Sequence, residues 1–378
     1  MTRDEIELLN PSLGARTTLV AFRFGDPDAR PKVTIQASLH AEELPGMLVA
    51  HHLRAALEAA ESAGRLRGQV ILVPAANPIG LNQRLDYKAM GRFELETGEN
   101  FNRHYPDLAS AVFEAVRSQM GPDGDANVAA VRRHVSQWLD AWLPTTQLES
   151  QRRALLRLAH DADVVLDLHC DWEAVMHFYV EEPCWAPIEP LARLLGARAV
   201  LLARDSGGGP FDECLSGLWW QLAQRLRAAG IDAPLPQGCA STTVELRGET
   251  DVNHALAGAD AQAVMAYLVH LGVLTGERPT LPPLPCTPTP LAGSETLHTP
   301  VPGVVAFHAR PGDTLAVGDP VADVIDPTAP GASRVHTVRA GVAGVLYATV
   351  AQRYAVAGGE LGKIAGSRPF RTGPLLGA

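Results

Sequence analysis

The segment TIQASLHAEELPG, residues 34–46, passes from an apolar run into residues that favour the start of a helix. The apolar run ends at His40, and Pro45 follows where the first turn of a helix accommodates proline. We therefore predict a strand over residues 32–39 and a helix over residues 44–63. A buried strand that leads directly into a helix is the repeating unit of α/β proteins.

The same alternation of apolar strands and amphipathic helices continues along most of the chain. Further strands are predicted at residues 17–24, 69–73, 163–168, 175–180, 199–203 and 241–248, and further helices at 107–119, 128–142, 147–161, 213–229 and 258–272. Residues 77–106 contain few periodic apolar positions and are predicted to form an extended loop region. This pattern predicts an α/β fold in which helices flank a largely parallel or mixed sheet.

The composition changes after residue 275. The prolines from Pro279 to Pro290 number six, which predicts a stiff linker over residues 276–295 between an α/β domain (1–275) and a β domain (296–378). The β domain consists of two similar halves of short, glycine-broken strands, and it resembles the barrel-sandwich of biotinyl and lipoyl carrier domains. The turn between its halves, residues 324–338, has no lysine, so covalent biotin or lipoate is not expected. We expect this domain to narrow the active-site mouth or to mediate assembly.

Charge and composition limit the possible partners and locations. The chain has 378 residues and a net charge of −10, which argues against nucleic acid or an anionic membrane as a partner. The five cysteines are scattered without a CxxC pair, which favours a reducing compartment. Neither a secretory signal nor an apolar run long enough for a membrane span is visible, so we predict a cytoplasmic protein. The sequence leaves a homo-oligomer open.

Three residues form a candidate metal site. His40 and Glu43 lie one helical turn apart, and His169 ends the predicted strand at 163–168. Two histidines and one carboxylate leave a fourth position for water, which is typical of catalytic rather than structural zinc. The alternatives are that Glu43 only suits a helix N-terminus and that His169 is an ordinary core histidine.

Glu245 is the candidate general base, because a carboxylate within the apolar strand at 241–248 is costly unless it is paired or functional. An ion pair with Arg247 is the simpler alternative. The loop at 77–106 supplies candidate substrate-binding groups, since arginine binds carboxylates and polarises carbonyls. These groups are Arg84, Arg92, Asn102 and Arg103.

The order of these motifs resembles the succinylglutamate desuccinylase/aspartoacylase family of the zinc carboxypeptidase-like superfamily. The motifs are HxxE from His40, NPxG from Asn77, an arginine, Asn102-Arg103, a strand ending in His169, and ELR from Glu245. The resemblance covers about residues 15–275, and the C-terminal β region is also similar to that family.

The resemblance implies a role for each matching residue. His40, Glu43 and His169 would bind one Zn²⁺ per chain, and Glu245 would be the general base. Arg92, with Arg84 as the competing choice, would polarise the scissile carbonyl. Asn102 and Arg103 would hold a substrate carboxylate.

The implied function is a zinc-dependent amidohydrolase that deacylates an N-acyl amino acid or a similar small molecule. The alternatives are a metallocarboxypeptidase acting on peptide C-termini and a non-catalytic zinc-binding protein of the same fold. One departure from the family pattern is Asn100, where aspartate is common, and it leaves the substrate less well defined. We expect the pocket lining to come from residues 204–214 and from the C-terminal domain.

Overall fold

The computed structural model describes residues 1–377, apart from the side chains of residues 332 and 333. The strands up to residue 290 are β1 (Thr2–Glu7), β2 (Thr18–Phe24), β3 (Lys32–Ala37), β4 (Gln69–Val73), β5 (Arg84–Leu85), β6 (Lys88–Ala89), β7 (Val164–Asp171), β8 (Glu173–Ala174), β9 (His177–Glu181), β10 (Ala199–Ala203), β11 (Ala240–Gly248) and β12 (Thr289–Pro290). The helices are α1 (Pro45–Ser62), α2 (Pro78–Leu81), α3 (Leu108–Val116), α4 (Gly124–Ala141), α5 (Gln147–Ala159), α6 (Trp185–Leu195), α7 (Phe211–Ala228) and α8 (His254–His270).

Nine of these strands form the central sheet in the order β1-β2-β4-β3-β7-β11-β9-β10-β12. Neighbours β4, β3, β7 and β11 are parallel, whereas β1, β2 and the β11–β9 pair run antiparallel. The sheet is therefore mixed, as expected. Its parallel centre brings the carboxyl ends of β3, β7 and β11 to one edge, where ligands bind in open α/β sheets.

Helices cover both faces of the sheet. On one face, α1, α6 and α8 pack on side chains such as Val33, Ile35 and Leu166. On the other face, α3, α4, α5 and α7 pack on Ile71 and Val165. Strands β3, β4 and β7 are buried on both faces, although β3 (KVTIQA) alternates apolar and polar residues and β7 contains Asp167 and His169. Throughout residues 1–377, every helix is too short or too polar to cross a lipid bilayer.

The C-terminal strands are β13 (Ser294–His298), β14 (Gly303–Phe307), β15 (Thr314–Leu315), β16 (Pro320–Ile325), β17 (Val335–Arg339), β18 (Gly344–Thr349), β19 (Tyr354–Ala355) and β20 (Glu360–Gly366). They form two antiparallel sheets, β13-β20-β18-β15 and β17-β16-β14-β19, with a shared apolar core. The short strand β8 joins the first of these sheets by pairing with β18. The barrel-sandwich assignment and the boundaries at 275 and 295 stay predictions.

Most predicted elements are present, with shifted ends. Strand β1, helix α6 and the two-residue strands β8 and β12 were not predicted from the sequence. Helix α8 also begins at His254 rather than at 258, because Asn253 accepts a hydrogen bond from the Leu256 N–H and caps an additional turn. The predicted loop at 77–106 contains the short helix α2 and a small hairpin formed by β5 and β6.

Candidate active site

The three predicted metal-binding side chains lie together and are buried. His40, Glu43 and His169 place one ligand atom each within 4.8 Å of one another. The Glu43 carboxylate lies between the two rings, with Oε1 2.9 Å from His40 Nδ1 and Oε2 2.7 Å from His169 Nδ1. Both histidines therefore direct the same nitrogen, Nδ1, toward one point.

The sheet edge and one strained residue set this geometry. Strands β3 and β7 are adjacent and parallel, with Ala37 opposite Leu168, so the residues after each strand emerge side by side. At Ser38 the backbone adopts a φ of 57°, an unusual value for a non-glycine residue, and the chain turns out of the sheet. The Ser38 hydroxyl donates to the Glu43 carbonyl oxygen at 2.7 Å, which holds the turn leading into α1.

The far side of each imidazole faces a polar group. Asn100 Oδ1 lies 2.9 Å from His40 Nε2, and Asp167 Oδ2 lies 3.0 Å from His169 Nε2. Such partners fix ring orientation in metal sites. Asn100 was expected to bear on substrate identity. Asn100, which stands where the family often has aspartate, contacts His40 on the side of the ring away from the candidate metal site.

The charges of Asp167 and Glu43 outweigh burial and raise the pKa of His169 well above its usual range, so a bound ion would displace a proton from this ring. The other two groups are already in the protonation state that binds a metal ion. Burial, together with the charge of Arg92, lowers the pKa of His40 to about 4, so this ring is neutral and able to bind metal. Burial alone would raise the pKa of Glu43, but the two neighbouring histidines hold it well below its usual range. Glu43 therefore carries a negative charge in a buried position.

The NPxG motif brings the arginine loop to the cluster. Asn77 donates through Nδ2 to the Leu39 carbonyl at 2.9 Å, and its Oδ1 accepts from the Gly80 N–H at 2.7 Å. The Gly91 carbonyl accepts from the Ala41 N–H, and a Cβ on Gly91 would lie 2.5 Å from Glu42 Oε2. Only glycine at position 91 allows the loop to pack this closely against Ala41 and Glu42. Arg92 is the next residue and is thereby placed beside the cluster.

Arg92 and Arg84, the two candidates for polarising a carbonyl, lie in different places. Arg92 Nη1 is 3.3 Å from His40 Nδ1 and 3.4 Å from Glu43 Oε1, and the side chain lines the cavity beside the cluster. Arg84 lies on the exposed β5–β6 hairpin, outside the cavity lining. The geometry thus favours Arg92 for this role.

Glu245 lies next to the cluster on the neighbouring strand. It is opposite His169 in the β7–β11 pairing, and its Oε2 is buried without a hydrogen-bond partner among the described residues. Arg247, the partner of the simpler alternative, forms an ion pair with Asp260 instead. Burial and then the charge of Glu43 raise the pKa of Glu245 to about 8.

The predicted carboxylate-binding pair is engaged within the protein. Asn102 Oδ1 accepts from the Phe211 N–H at 2.8 Å at the start of α7. Arg103 lines the cavity, and its guanidinium donates to the Asn102 carbonyl at 2.7 Å and to the Gly377 carbonyl at 2.6 Å. Leu375 donates its N–H to the Ser206 carbonyl at 2.7 Å. The C-terminal tail, residues 374–377, therefore borders the site.

One cavity of about 460 Å³ is lined by the candidate metal ligands and by Arg92, Asn102, Arg103 and Glu245. As expected, residues 204–214 and the C-terminal region line this cavity. Most of the individual lining side chains were not predicted from the sequence. Those not anticipated include Asp171, Tyr179, Glu181, Asp212, Glu213, Tyr347, Glu360 and Lys363. Aromatic and charged side chains distributed over four strands and a helix give no local sequence signal.

The donor set fits zinc. Two imidazole nitrogens and one carboxylate are ligands that Zn²⁺ binds in tetrahedral sites. The cluster lies beside an open cavity, so a fourth position remains available for water or substrate. The cluster lies at the carboxyl edge of the parallel strands, where open α/β sheets bind their ligands.

Comparisons with known proteins point in the same direction. Residues 29–121 match the sequence profile of the succinylglutamate desuccinylase/aspartoacylase catalytic domain. A crystal structure of a succinylglutamate desuccinylase/aspartoacylase family protein from Shewanella amazonensis is 28% identical, with a TM-score of 0.83 over 97% of this chain and 98% of that one. A counterpart from Shewanella frigidimarina is 25% identical, with the same TM-score over 97% of both chains.

A more distant structure shares the fold. The ectoine utilization protein EutE (DoeB) from Ruegeria pomeroyi is 16% identical, with a TM-score of 0.64 over 96% of this chain and 94% of that one. No functionally curated protein matches the chain. The match of residues 29–121 and the two Shewanella structures confirm the predicted resemblance to the succinylglutamate desuccinylase/aspartoacylase family.

Proposed function

We propose that this chain is a zinc-dependent amidohydrolase that removes the acyl group from an N-acyl amino acid or a similar small carboxylate-bearing amide. The observation that carries the proposal is Glu245, whose unpartnered carboxylate oxygen lies beside the His40–Glu43–His169 cluster in the cavity. A buried carboxylate without a partner is costly, so its position next to a metal-binding cluster calls for a chemical role.

His40 Nδ1, Glu43 and His169 Nδ1 would hold the ion. When bound, zinc lowers the pKa of a coordinated water to about 7 and polarises a carbonyl oxygen. Asn100, through its hydrogen bond to His40 Nε2, and Asp167, 3.0 Å from His169 Nε2, would favour ring orientations that leave Nδ1 for the ion.

Glu245 would accept a proton from the attacking water and return it to the departing nitrogen. A general base works best when its pKa lies near the operating pH, and burial moves the pKa of Glu245 in that direction. The oxygen without a partner is free to accept the proton.

Arg92 and Arg103 would bind the two oxygen-bearing ends of the substrate. Arg92, beside the cluster, would donate to the carbonyl oxygen as negative charge develops on it. Arg103 would hold the substrate carboxylate, with Asn102 supporting the loop through its bond to Phe211.

A hydrolysis panel tests the proposal. Purified protein with zinc is offered N-acetyl, N-succinyl and longer-chain N-acyl amino acids, and peptides with free carboxyl ends. We expect amine release from N-acyl amino acids that stops on chelation and returns with zinc, and a raised KM for Arg103→Ala. Hydrolysis of peptides alone would indicate a metallocarboxypeptidase, and no hydrolysis at all would favour a non-catalytic protein.

A further inference from the structure

Three acidic side chains form one wall of the cavity, here called the acidic wall: Glu181, Asp212 and Glu213. Glu181 ends β9, and the other two lie in the first turn of α7. The first turn of a helix favours acidic residues, which would explain Asp212 and Glu213 without any ligand. That explanation does not extend to Glu181, which lies on a strand.

Glu181 is 4% exposed, and only one of its carboxylate oxygens is satisfied. Oε1 accepts a hydrogen bond from Trp220 Nε1 at 2.9 Å, whereas Oε2 is buried without a hydrogen-bond partner among the described residues. A buried carboxylate oxygen without a donor costs free energy unless something else supplies the donor. Since Glu181 lines the cavity, a bound molecule can supply it.

Neutral donors, rather than direct ion pairs, satisfy Asp212 and Glu213 among the described residues, and Arg103 acts on these two acids only through its charge. Thr243 donates to Asp212, and the Ser206 N–H donates to Glu213, but both donors are neutral. Within the described part of the chain, no lysine or arginine forms an ion pair with any of the three acids. Burial raises their pKa values, to about 8 for Glu181, 6 for Asp212 and 7 for Glu213; the charge of Asp212 adds to the effect at Glu181 and Glu213, and the charge of Asp167 adds to it at Asp212. A cation in the cavity would relieve the repulsion between these charges.

We propose that the acidic wall binds a positively charged side chain of the substrate, so that the molecule hydrolysed is an N-acyl derivative of a basic amino acid. The inference rests on the proposed deacylase function and adds its substrate class. Arg103 is electrostatically coupled to Asp212 and Glu213, so the carboxylate-binding and cation-binding groups belong to the same part of the cavity. An amino acid with an ammonium side chain carries both charges on one small molecule.

The first experiment compares matched substrates. Nα-acetyl-lysine and Nα-acetyl-ornithine are tested against Nα-acetyl-norleucine, which is similar in size but uncharged, and against Nα-acetyl-glutamate. Because hydrogen bonds to charged groups contribute about 1.5–3 kcal/mol, we expect a kcat/KM preference of roughly 10- to 100-fold for the cationic compounds. A preference for the neutral or the acidic compound would overturn the inference.

Two variants assign the preference to the wall. Glu181→Gln keeps an acceptor for Trp220, and Glu213→Gln keeps one for the Ser206 N–H. Each should lower kcat/KM for Nα-acetyl-lysine while leaving Nα-acetyl-norleucine nearly unchanged. Glu182→Gln, at the exposed next position, is the matched control and should keep the wild-type preference. Equal losses on both substrates would show a purely structural role for the wall.

A binding measurement separates this inference from the proposed function. Free lysine, norleucine and glutamate are titrated into the zinc-loaded protein by calorimetry, which requires no turnover. We expect lysine to bind more tightly than norleucine, and Glu181→Gln to remove the difference. If no N-acyl amino acid is hydrolysed but lysine still binds more tightly than norleucine, the proposed function is wrong and cation binding by the acidic wall is supported. If lysine and norleucine bind equally, the inferred cation binding by the acidic wall is wrong, whether or not the protein hydrolyses N-acyl amino acids.

Discussion

Glu245 and His169 are direct register partners on the parallel strands β11 and β7. The candidate base and a candidate metal ligand are therefore held by a continuous ladder of backbone hydrogen bonds rather than by a loop. The register shifts just beyond Glu245, and Arg247 adopts a φ of 65°. This bulge lets β11 end beside the cavity while the base stays in place.

Replacing the base should separate metal binding from turnover. Glu245→Gln retains the size of the side chain but cannot accept the proton, so we expect full zinc content with kcat reduced by roughly 10²- to 10⁴-fold. Metal analysis and hydrolysis assays on one preparation check this. Glu114→Gln, on an exposed helix face, serves as the control. Wild-type turnover in Glu245→Gln would exclude this residue as the base.

The two loop arginines should differ in their contribution. Arg92→Ala removes a donor beside the cluster, and the loss of one such donor costs about 10²- to 10³-fold in kcat. Arg84→Ala, on the exposed hairpin, should leave kcat within about two-fold of wild type, as expected for a site with no contact to the cluster. Steady-state kinetics on both variants decides between them, and the reverse ranking would make Arg84 the carbonyl-polarising residue.

Asn100 should control metal affinity. Its Oδ1 accepts from both His40 Nε2 and the Asn102 N–H, so Asn100→Ala releases the ring and the loop together. Loss of a partner behind a ligand typically costs 10- to 100-fold in metal affinity. Competition with a fluorescent zinc chelator measures the dissociation constant. Asn100→Asp preserves the acceptor and should bind zinc at least as tightly as wild type; equal affinity in Asn100→Ala would contradict this role.

The C-terminal tail should compete with substrate for Arg103. Gly377 accepts a hydrogen bond from the guanidinium that the proposed function assigns to the substrate carboxylate. A chain shortened after Gly373 should therefore have a lower KM, by roughly 2- to 10-fold for one net hydrogen bond. In the Arg103→Ala background the same shortening should have no effect on KM. A higher KM in the shortened chain would mean that the tail contributes to binding.

Glu181 should make folding stability depend on pH. Burial raises its pKa to about 8 in the folded chain, so the folded state binds this proton more tightly than the unfolded state. Its stabilising contribution is present at low pH, below the ordinary carboxyl range, and is lost as pH rises through about 8. Urea unfolding from about pH 5 to pH 9 should show wild type losing stability relative to Glu181→Gln. Glu182→Gln should follow the wild type, and parallel curves for Glu181→Gln would contradict the shifted pKa.

The α/β fold and the candidate metal cluster could be predicted because the sequence features that indicate them are local. Apolar runs that end in His40 and His169 mark the carboxyl ends of adjacent strands, and Pro45 marks the start of α1. Capping signals were available as well. Asn253 caps α8 and Asp123 caps α4, and both helices begin earlier than their apolar periodicity alone indicates.

Elements and groups that depend on tertiary contacts were not predictable in the same way. Strand β1 is largely polar, because it is the edge strand of the central sheet and exposes one face to solvent. The acidic wall joins a strand end to a helix start 30 residues later in the chain, and nothing local relates Glu181 to Asp212. The contact of Arg103 with Gly377 spans 274 positions.

Lys363 gives the C-terminal region a direct connection to the metal-binding strand. Its ammonium lies 2.8 Å from Asp171 Oδ2, and Asp171 follows His169 by two residues on β7. Strand β8 also pairs with β18, and Arg353 forms an ion pair with Glu173. The C-terminal β region therefore cannot be replaced without affecting strands β7 and β8. A chimera joined within the proline-rich segment would need a lysine at the Lys363 position, or Asp171 would lie without its countercharge two residues from the candidate metal ligand His169.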